Sequence, residues 1–574
     1  MAEVIIMPKL GFNMNEGKLV KWYKQEGDSI KKGDNFFSIE TDKTNMDIEA
    51  TSDGIVRKLL IEEGAQIPVT LPIAVIAGKE EEIAEVINRA MADLGKETSE
   101  ETQNFNLPSI EDETDTADND YDVIVIGGGP GGYVAAIKAA QMGKRTAIIE
   151  KDSFGGTCLN AGCIPTKALL RSAEAFNEVK ESVRFGITGV EILKARLDFG
   201  KIQERKEQVV RQLVGGIQGL LKGNGVTIIK GEGRLIEKNI IEVEGRKYST
   251  EHVIIATGSA SKELSIPINP KMEVLTSKEM LDIQEAPKTM VIIGGGVIGV
   301  EFAYFLASTG TQVTIIEFLD RILPMVDEEI TAQVSARLEN LGIVIHTSAK
   351  VTEITDKAVR FEKNGQEQQI ETEKVLMAVG RIPRLEGIDC KRLGIKVDRG
   401  AIVTDSALRT SLPNVYAIGD VNGKVMLAHT ASMEGIIAAE NICGHQTEMD
   451  YDRIPSAIYI QPEIASVGLT EAAARLKYGD VKVGRFPLMA NGKAKVAGEE
   501  RGLVKVITEP QYGEIVGVHL YCIHATDMIG EAVVAMKLEA TAEEVAMSIH
   551  PHPTVSEAIH EAMHGAGGKA IHFI

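Results

Sequence analysis

Cys158 and Cys163 are two of only five cysteines in 574 residues, and four residues separate them in Gly155-Gly156-Thr157-Cys158-Leu159-Asn160-Ala161-Gly162-Cys163-Ile164-Pro165-Thr166-Lys167. Five cysteines in so long a chain cannot form a disulfide framework, so a close pair is a candidate for reversible thiol–disulfide chemistry. A helix is predicted to begin here, and a helix N-terminus lowers a thiol pKa and makes a thiolate available near neutral pH. Two buried small hydrophobes are the plain alternative. Metal binding is a weaker one, because no second Cys/His pair with ligand spacing follows. The surroundings of the pair decide between them.

Those surroundings are a dinucleotide fingerprint written twice. Tyr121–Ile126 runs into Gly127-Gly128-Gly129-Pro130-Gly131-Gly132, then a helical pattern, then Thr146–Glu150. Thr289–Ile293 runs into Gly294-Gly295-Gly296-Val297-Ile298-Gly299, a second helical pattern, then Gln312–Glu317. First glycine and closing acid are 23 residues apart in both. Gly127 and Gly294 permit the tight turn, Gly129 and Gly296 let a pyrophosphate approach the backbone, and Gly132 and Gly299 let helix pack on sheet. The helix N-termini offer free N–H groups to phosphate. Glu150 and Glu317 are placed to accept from ribose hydroxyls, and a carboxylate at Glu317 repels a 2′-phosphate, favouring NAD over NADP. With the cysteine pair directly after the first unit, a redox disulfide is the better reading.

A third candidate is His550-Pro551-His552-Pro553-Thr554-Val555-Ser556-Glu557. An unperturbed histidine titrates near ~6.5, which suits a base that takes and returns a thiol proton. An acid such as Glu557 can orient an imidazole and stabilise its protonated form. Of the eleven histidines, His550 and His552 both fit, and a satisfied turn residue is the plain alternative for either.

Several elements must carry these groups, since 574 residues exceed a single core. Within the first 78 residues Gly17, Gly27 and Ile30 recur as Gly54, Gly64 and Ile67, each displaced by 37 positions. Frequent turns with short alternating strands, such as 19–22 and 55–58, predict a small all-β module of two similar halves. Lys43 lies on the polar tip between them. Apolar residues at 83, 86, 87, 90, 91 and 94 predict a short amphipathic helix over 80–94. From Glu97 to Asp120 there are nine acids and no Lys or Arg, the composition of an extended linker. The net charge of −21 argues against nucleic acid or anionic lipid as partner. No segment reads as membrane-spanning or as a secretory signal, so the cytoplasm is expected.

Taken together, the cysteine segment resembles the redox-disulfide signature of the flavin disulfide reductases, and residues 121–574 follow that family's plan. Ala256-Thr257-Gly258 and Ala378-Val379-Gly380-Arg381 are similar to its returning strands, which implies Thr257 and Gly258 at FAD and Gly380 at NAD. Ile418-Gly419-Asp420 resembles the Gly-Asp that presents a carboxylate to the flavin's ribityl chain. The resemblance further implies FAD on Gly127, Gly129, Gly132 and Glu150, NAD on Gly294, Gly296, Gly299 and Glu317, and a Lys167–Glu301 ion pair near the flavin. It makes Cys158 the sulfur attacked by a dithiol and Cys163 the one nearer the flavin. It selects His552 over His550, oriented by Glu557 and reaching into the partner's active site in a homodimer. Residues 1–78 resemble a lipoyl domain, with Asp42-Lys43 at its modified site. Departures are mild: Thr44, Ala161 and Thr166 stand where Ala, Val and Ser are frequent.

The implied architecture is multidomain: a lipoyl-type all-β domain (1–78), an acidic linker (79–120), a Rossmann-like α/β FAD domain (121–269, continued by 389–455), a Rossmann-like NAD domain (270–388) and an α+β dimer-interface domain (456–574). The implied activity is dihydrolipoyl dehydrogenase, the E3 component of a 2-oxo acid or acetoin dehydrogenase complex with acyltransferase and decarboxylase partners, using FAD, NAD and lipoyl on Lys43 and no metal. Within the family, Glu317 opposes a glutathione-type reductase. A mercuric reductase would need a C-terminal cysteine pair, where this sequence reads His572-Phe573-Ile574. Outside it, the alternative is a lipoyl carrier and scaffold with an inactive reductase part.

Overall fold

The computed structural model describes residues 3–8, 16–40, 45–68, 71–78, 83, 119–189, 194–568 and 570–573. Lys43, nearly all of the expected helix over 80–94 and the acidic stretch up to residue 118 lie outside the described residues. The chain divides into two compact units, Met1–Thr116 and Ala117–Ile574.

The first unit is two four-stranded antiparallel sheets. One runs in the order Glu3–Ile6, Pro72–Ala77, Gly54–Leu59, Ser29–Ile30, and the other Asn45–Glu49, Asn35–Glu40, Glu16–Trp22, Gln66–Pro68. Between them lie Leu19, Phe36, Ile39, Val56 and Ile73, all fully buried. The 37-residue repeat is visible in the main chain. Gly27 N–H donates to Val56 O at 2.8 Å, and Gly64 N–H donates to Leu19 O at 2.7 Å, so each half closes on the other's strand. Both glycines have positive φ (97° and 90°), which is why the turn keeps glycine in each half. The hairpin of Asn35–Glu40 and Asn45–Glu49 pairs as far as Glu40 opposite Asn45.

In the second unit the first fingerprint builds a parallel sheet in the order Thr227–Lys230, Thr146–Glu150, Tyr121–Ile126, Arg246–Ile255, Val415–Ala417. Its central strands read as unbroken apolar runs because both faces are covered. Val415–Ala417 comes from far along the chain, followed by the helix Ala428–Ile442, which packs on Pro130–Gln141. A Cβ at Gly435 would stand 2.5 Å from Gly131 O, so only glycine allows that approach.

The second fingerprint builds a separate all-parallel sheet: Glu273–Leu275, Lys374–Met377, Thr289–Ile293, Gln312–Ile316, Val344–His346. Ser259–Ser261 pairs antiparallel with Arg381–Pro383 and ties the two sheets' connections together. The C-terminal sheet is antiparallel, in the order Ser456–Ile458, Glu463–Gly468, Ile515–Cys522, Leu503–Thr508, Lys482–Pro487. The helices Ala525–Lys537 and Glu557–Ala566 complete its core.

Lys505 joins the C-terminal sheet to the second fingerprint. Its ammonium is almost fully buried, 2.8 Å from Asp327, 2.7 Å from Glu471 and 3.1 Å from Glu329. Asp327 caps the helix Glu328–Asn340, and Arg485 closes the cluster onto Glu329 and Glu471. Removing one member of a buried ionic cluster leaves the others uncompensated. Lys505→Met should therefore destabilise this unit by about 3–5 kcal/mol, read as a lowered denaturant midpoint. An unchanged midpoint would remove the cluster's structural role.

Candidate functional site

Each Gly-rich loop is shaped by sterics at its ends and left open in the middle. A Cβ at Gly127 would meet Ala256 O at 2.3 Å, and one at Gly132 would meet Gly127 O at 1.8 Å. The second loop repeats this, with Gly294 against Ala378 O at 2.4 Å and Gly299 against Gly294 O at 2.0 Å. At Gly129 the nearest atom would be 4.0 Å away, and at Gly296 nothing lies within 4 Å. The protein's own packing does not explain the middle glycines, whereas a phosphate seated on the backbone there does. Both loops thus fit the pyrophosphate of a dinucleotide.

The closing acids brace these loops. Glu150 accepts from Gly128 N–H at 2.7 Å and Asp152 N–H at 2.7 Å, and Glu317 accepts from Gly295 N–H at 2.5 Å and Leu319 N–H at 2.7 Å. Ribose binding is the expected role of both; the contacts the structure gives them are to their own loops. Carboxylate oxygens retain lone pairs for hydroxyl donors.

The cysteines stand on two helices, where one was expected. Cys158 lies inside the short helix Gly156–Ala161, the helix is interrupted at Gly162, and Cys163 is the first residue of Cys163–Glu181. Both are free thiols in this structure, and each shifts the acidity of the other. The Cys158 S–H and the nearby Lys167 ammonium bring the Cys163 thiol down to about 7, against burial and the opposing charge of Glu301. The hydrogen bond to Cys163, with burial, pushes the Cys158 thiol up. In the reduced pair Cys163 is thus the more acidic sulfur and Cys158 the one that keeps its proton.

Lys167 lies one turn beyond Cys163 and bonds both oxygens of Glu301 at 3.0 and 2.9 Å. Glu301 sits on Val297–Thr309, the helix opened by the second loop, and is 3% exposed. The ion pair therefore ties the cysteine helix to the second fingerprint.

A cavity of about 1360 Å³ collects these groups. Its walls hold Gly127, Gly129, Gly132, Glu150, Cys158, Cys163, Lys167, Thr257, Gly258 and Asp420 on one side and Gly294, Gly296, Glu301, Glu317 and Gly380 on the other. Gly299 packs beneath its loop and is not among the lining residues.

Asp420 belongs to a network that sequence reasoning missed. Ser259 Oγ donates to its carboxylate, and Arg381 donates to Ser259 Oγ at 2.7 Å and to Ser259 O at 2.9 Å. Below the Gly419–Asn422 turn, the fully buried Glu434 accepts from Gly419 N–H at 2.5 Å, from Asn422 Nδ2 at 3.0 Å and from Tyr451 OH at 2.6 Å. Burial pushes the Glu434 carboxyl up, and those donors offset only part of the rise. An acid inside the apolar pattern of Ala428–Ile442 was the one available signal.

His552 and Glu557 form the expected dyad, with Nδ1 2.8 Å from Glu557 Oε1. Burial pushes the Glu557 carboxyl up, but Thr554 N–H and His552 more than offset it and hold it low. The His552 side chain is 78% exposed and lies outside the cavity of its own chain. His550 is occupied on both ring nitrogens, by Glu531 at 2.7 Å and Ser548 O at 3.1 Å, and is mostly buried. Among the described residues no group of three or more His, Cys, Asp or Glu is placed to hold a metal ion, and no helix is long and apolar enough to cross a membrane.

Three family profiles match the chain: pyridine nucleotide-disulphide oxidoreductase at residues 121–435, the dimerisation domain of the same family at 454–563, and biotin-requiring enzyme, a biotin/lipoyl domain, at 3–76. A dihydrolipoyl dehydrogenase of Bacillus subtilis is 44% identical over 475 residues, spanning 79% of this chain and 99% of its own. One from Mycobacterium tuberculosis is 41% identical over 466 residues, spanning 79% and 99%. Among solved structures, LpdA from Mycobacterium tuberculosis superposes with a TM-score of 0.71 at 26% identity, covering 77% of this chain and 99% of its own. The HOCl-induced flavoprotein disulfide reductase RclA from Escherichia coli superposes with a TM-score of 0.68 at 28% identity, covering 77% and 99%.

The steric contrast within the first loop makes a two-part prediction. Gly129→Ala should fold, with unchanged far-UV circular dichroism, yet retain less flavin per chain by absorbance. Gly132→Ala should disturb the fold itself, because its Cβ has no space. Equal flavin retention by Gly129→Ala and wild type would remove the phosphate assignment. In the reduced protein, alkylation of Cys163 should rise with pH through a midpoint about 7, below the ~8.5 of an ordinary thiol. Peptide mass spectrometry of iodoacetamide-treated samples reads this directly.

Proposed function

Because this chain belongs to the pyridine nucleotide-disulphide oxidoreductase family and is an NAD-dependent flavoprotein disulfide oxidoreductase of the dihydrolipoyl dehydrogenase type, we propose that it reoxidises protein-bound dihydrolipoamide through Cys158 and Cys163. We further propose that it does so as the E3 component of a 2-oxo acid or acetoin dehydrogenase complex, beside acyltransferase and decarboxylase components. The single observation that carries the reading is the position of the thiol pair: it opens onto one cavity that holds both phosphate-accepting loops.

The order of sulfur attack is supported by thiol acidity. A dihydrolipoyl thiol gives its proton to His552, and the resulting thiolate attacks Cys158 of the oxidised pair. The Cys158–Cys163 bond breaks and the electron pair leaves on Cys163, the sulfur with the lower pKa and so the better leaving group. Lys167 and the N-terminus of Cys163–Glu181 hold that charge. The second lipoyl thiol attacks the lipoyl sulfur of the mixed disulfide, its proton passes to the departing Cys158 sulfur, and cyclic lipoyl disulfide departs. Bound FAD and NAD⁺ supply the onward transfer of the two electrons, so that dithiol plus NAD⁺ becomes disulfide plus NADH and a proton.

Gly127, Gly129, Gly132, Glu150, Thr257, Gly258 and Asp420 would hold FAD, and Gly294, Gly296, Gly299, Glu317 and Gly380 would hold NAD. The exposure of His552 beyond its own cavity supports active sites shared across the homodimer, each His552–Glu557 dyad serving its partner's cysteines. Lys43, in the chain between the paired strands at Glu40 and Asn45, is proposed as the lipoyl attachment site.

Two measurements on protein made in lipoylation-competent cells test this. Intact-mass spectrometry should show a lipoyl adduct that Lys43→Arg abolishes, and purified protein should form NADH from NAD⁺ and dihydrolipoamide. His552→Gln should lower kcat by roughly 10²–10⁴-fold with the flavin retained. A Lys43 adduct with no NADH formation would instead identify an inactive carrier, and unmodified Lys43 would remove the lipoyl assignment.

A further inference from the structure

Tyr459 follows the strand Ser456–Ile458 of the C-terminal sheet and reaches the redox site from an element that carries none of the groups described above. Its backbone N–H donates to Glu301 Oε1 at 3.0 Å. The Lys167 ammonium lies over its ring, 4.5 Å from the centroid. One residue therefore grips both members of the ion pair, the acid through its main chain and the base through its ring face. The hydroxyl takes part in neither contact.

Lys167 needs such a grip. Its four-carbon stem is flexible, its side chain is 27% exposed, and Glu301 alone fixes only one side of the ammonium. Lys167 and Cys163 share a helix face at i and i+4, so the position of the ammonium sets the field at the sulfur. An aromatic face both attracts the cation and excludes water from it.

We propose that Tyr459 is a positioning residue for the redox chemistry: its ring face fixes the Lys167 ammonium beside Cys163 and so sets the fraction of Cys163 present as thiolate. This rests on the assignment of Cys163 as a redox thiol. The groups that face Cys163 are Cys158, Lys167, Glu301, Arg381 and Tyr459 itself, and Tyr459 also faces Glu463 and Asp527. Only Lys167 and Arg381 among them are cations. Arg381 is anchored separately through Ser259 and Asp420, so the influence of Tyr459 passes through Lys167.

The test is the pH profile of Cys163 alkylation by iodoacetamide in the reduced, flavin-loaded dimer, followed on the Cys163 peptide by mass spectrometry. Tyr459→Phe keeps the ring and should reproduce the wild-type profile. Tyr459→Leu should move the midpoint upward and lower the thiolate fraction at pH 7 roughly two- to tenfold. Pentafluorophenylalanine at position 459 preserves ring shape but reverses the charge of its face, and it should shift the profile as Leu does even where Leu impairs folding. In a Lys167→Met background, none of these changes at 459 should move the profile. A wild-type profile with the fluorinated ring would overturn the proposal, as would Phe behaving like Leu. A wild-type Cys163 that titrates as an ordinary thiol would contradict the redox assignment beneath it, a distinct failure because it involves no change at 459.

Discussion

The acidity of one sulfur, Cys163, is the interaction on which the proposed chemistry depends. Cys163 gains it by standing at the first position of a 19-residue helix, accepting from the Cys158 thiol and facing the Lys167 ammonium. Each contribution comes from a different device: the unpaired N–H groups of a helix end, a neighbouring thiol and a fixed cation. Glu301 opposes the charge directly but anchors Lys167, and Tyr459 grips both. In the exchange proposed above, the same acidity would make Cys163 the group expelled when Cys158 is attacked.

The two phosphate cradles follow the same economy of charge. Neither loop brings a basic side chain to its phosphate; each offers backbone N–H groups and a helix end, with a glycine in the middle that packing does not require. Glu150 and Glu317 then tie the loops to the ends of their strands. That bracing fixes each carboxylate beside its own loop. Glu434 does comparable work beneath Asp420, spending a fully buried carboxylate on one turn.

How much of this could be read from the sequence depended on range. The fingerprints, the cysteine segment and the β repeat are local: each lies within a few tens of residues, and sterics force the glycines at the ends of each fingerprint loop, as the 1.8 Å approach at Gly132 shows. The expected single helix at the cysteines became two because Gly162 interrupts it, a break that periodicity does not reveal. Tyr459, Ser259, Glu434 and Lys505 were missed because their roles exist only after folding. Lys505 meets Asp327 across 178 residues, and Tyr459 meets Glu301 across 158. His550 and His552 could not be separated by spacing. The difference between them is tertiary: Glu531 occupies one, while the other pairs with Glu557 and stays exposed.

On the proposed chemistry, electrons from the dithiol reach NAD⁺ only through the sulfurs of Cys158 and Cys163. Comparing Cys158→Ser and Cys163→Ser in two assays on the flavin-loaded dimer tests it most directly. Dihydrolipoamide-driven NADH formation should be lost in both variants, while electron transfer from NADH to an artificial one-electron acceptor persists, showing that the cofactor sites are intact. Dithiol-driven turnover at the wild-type rate in either serine variant would contradict the account.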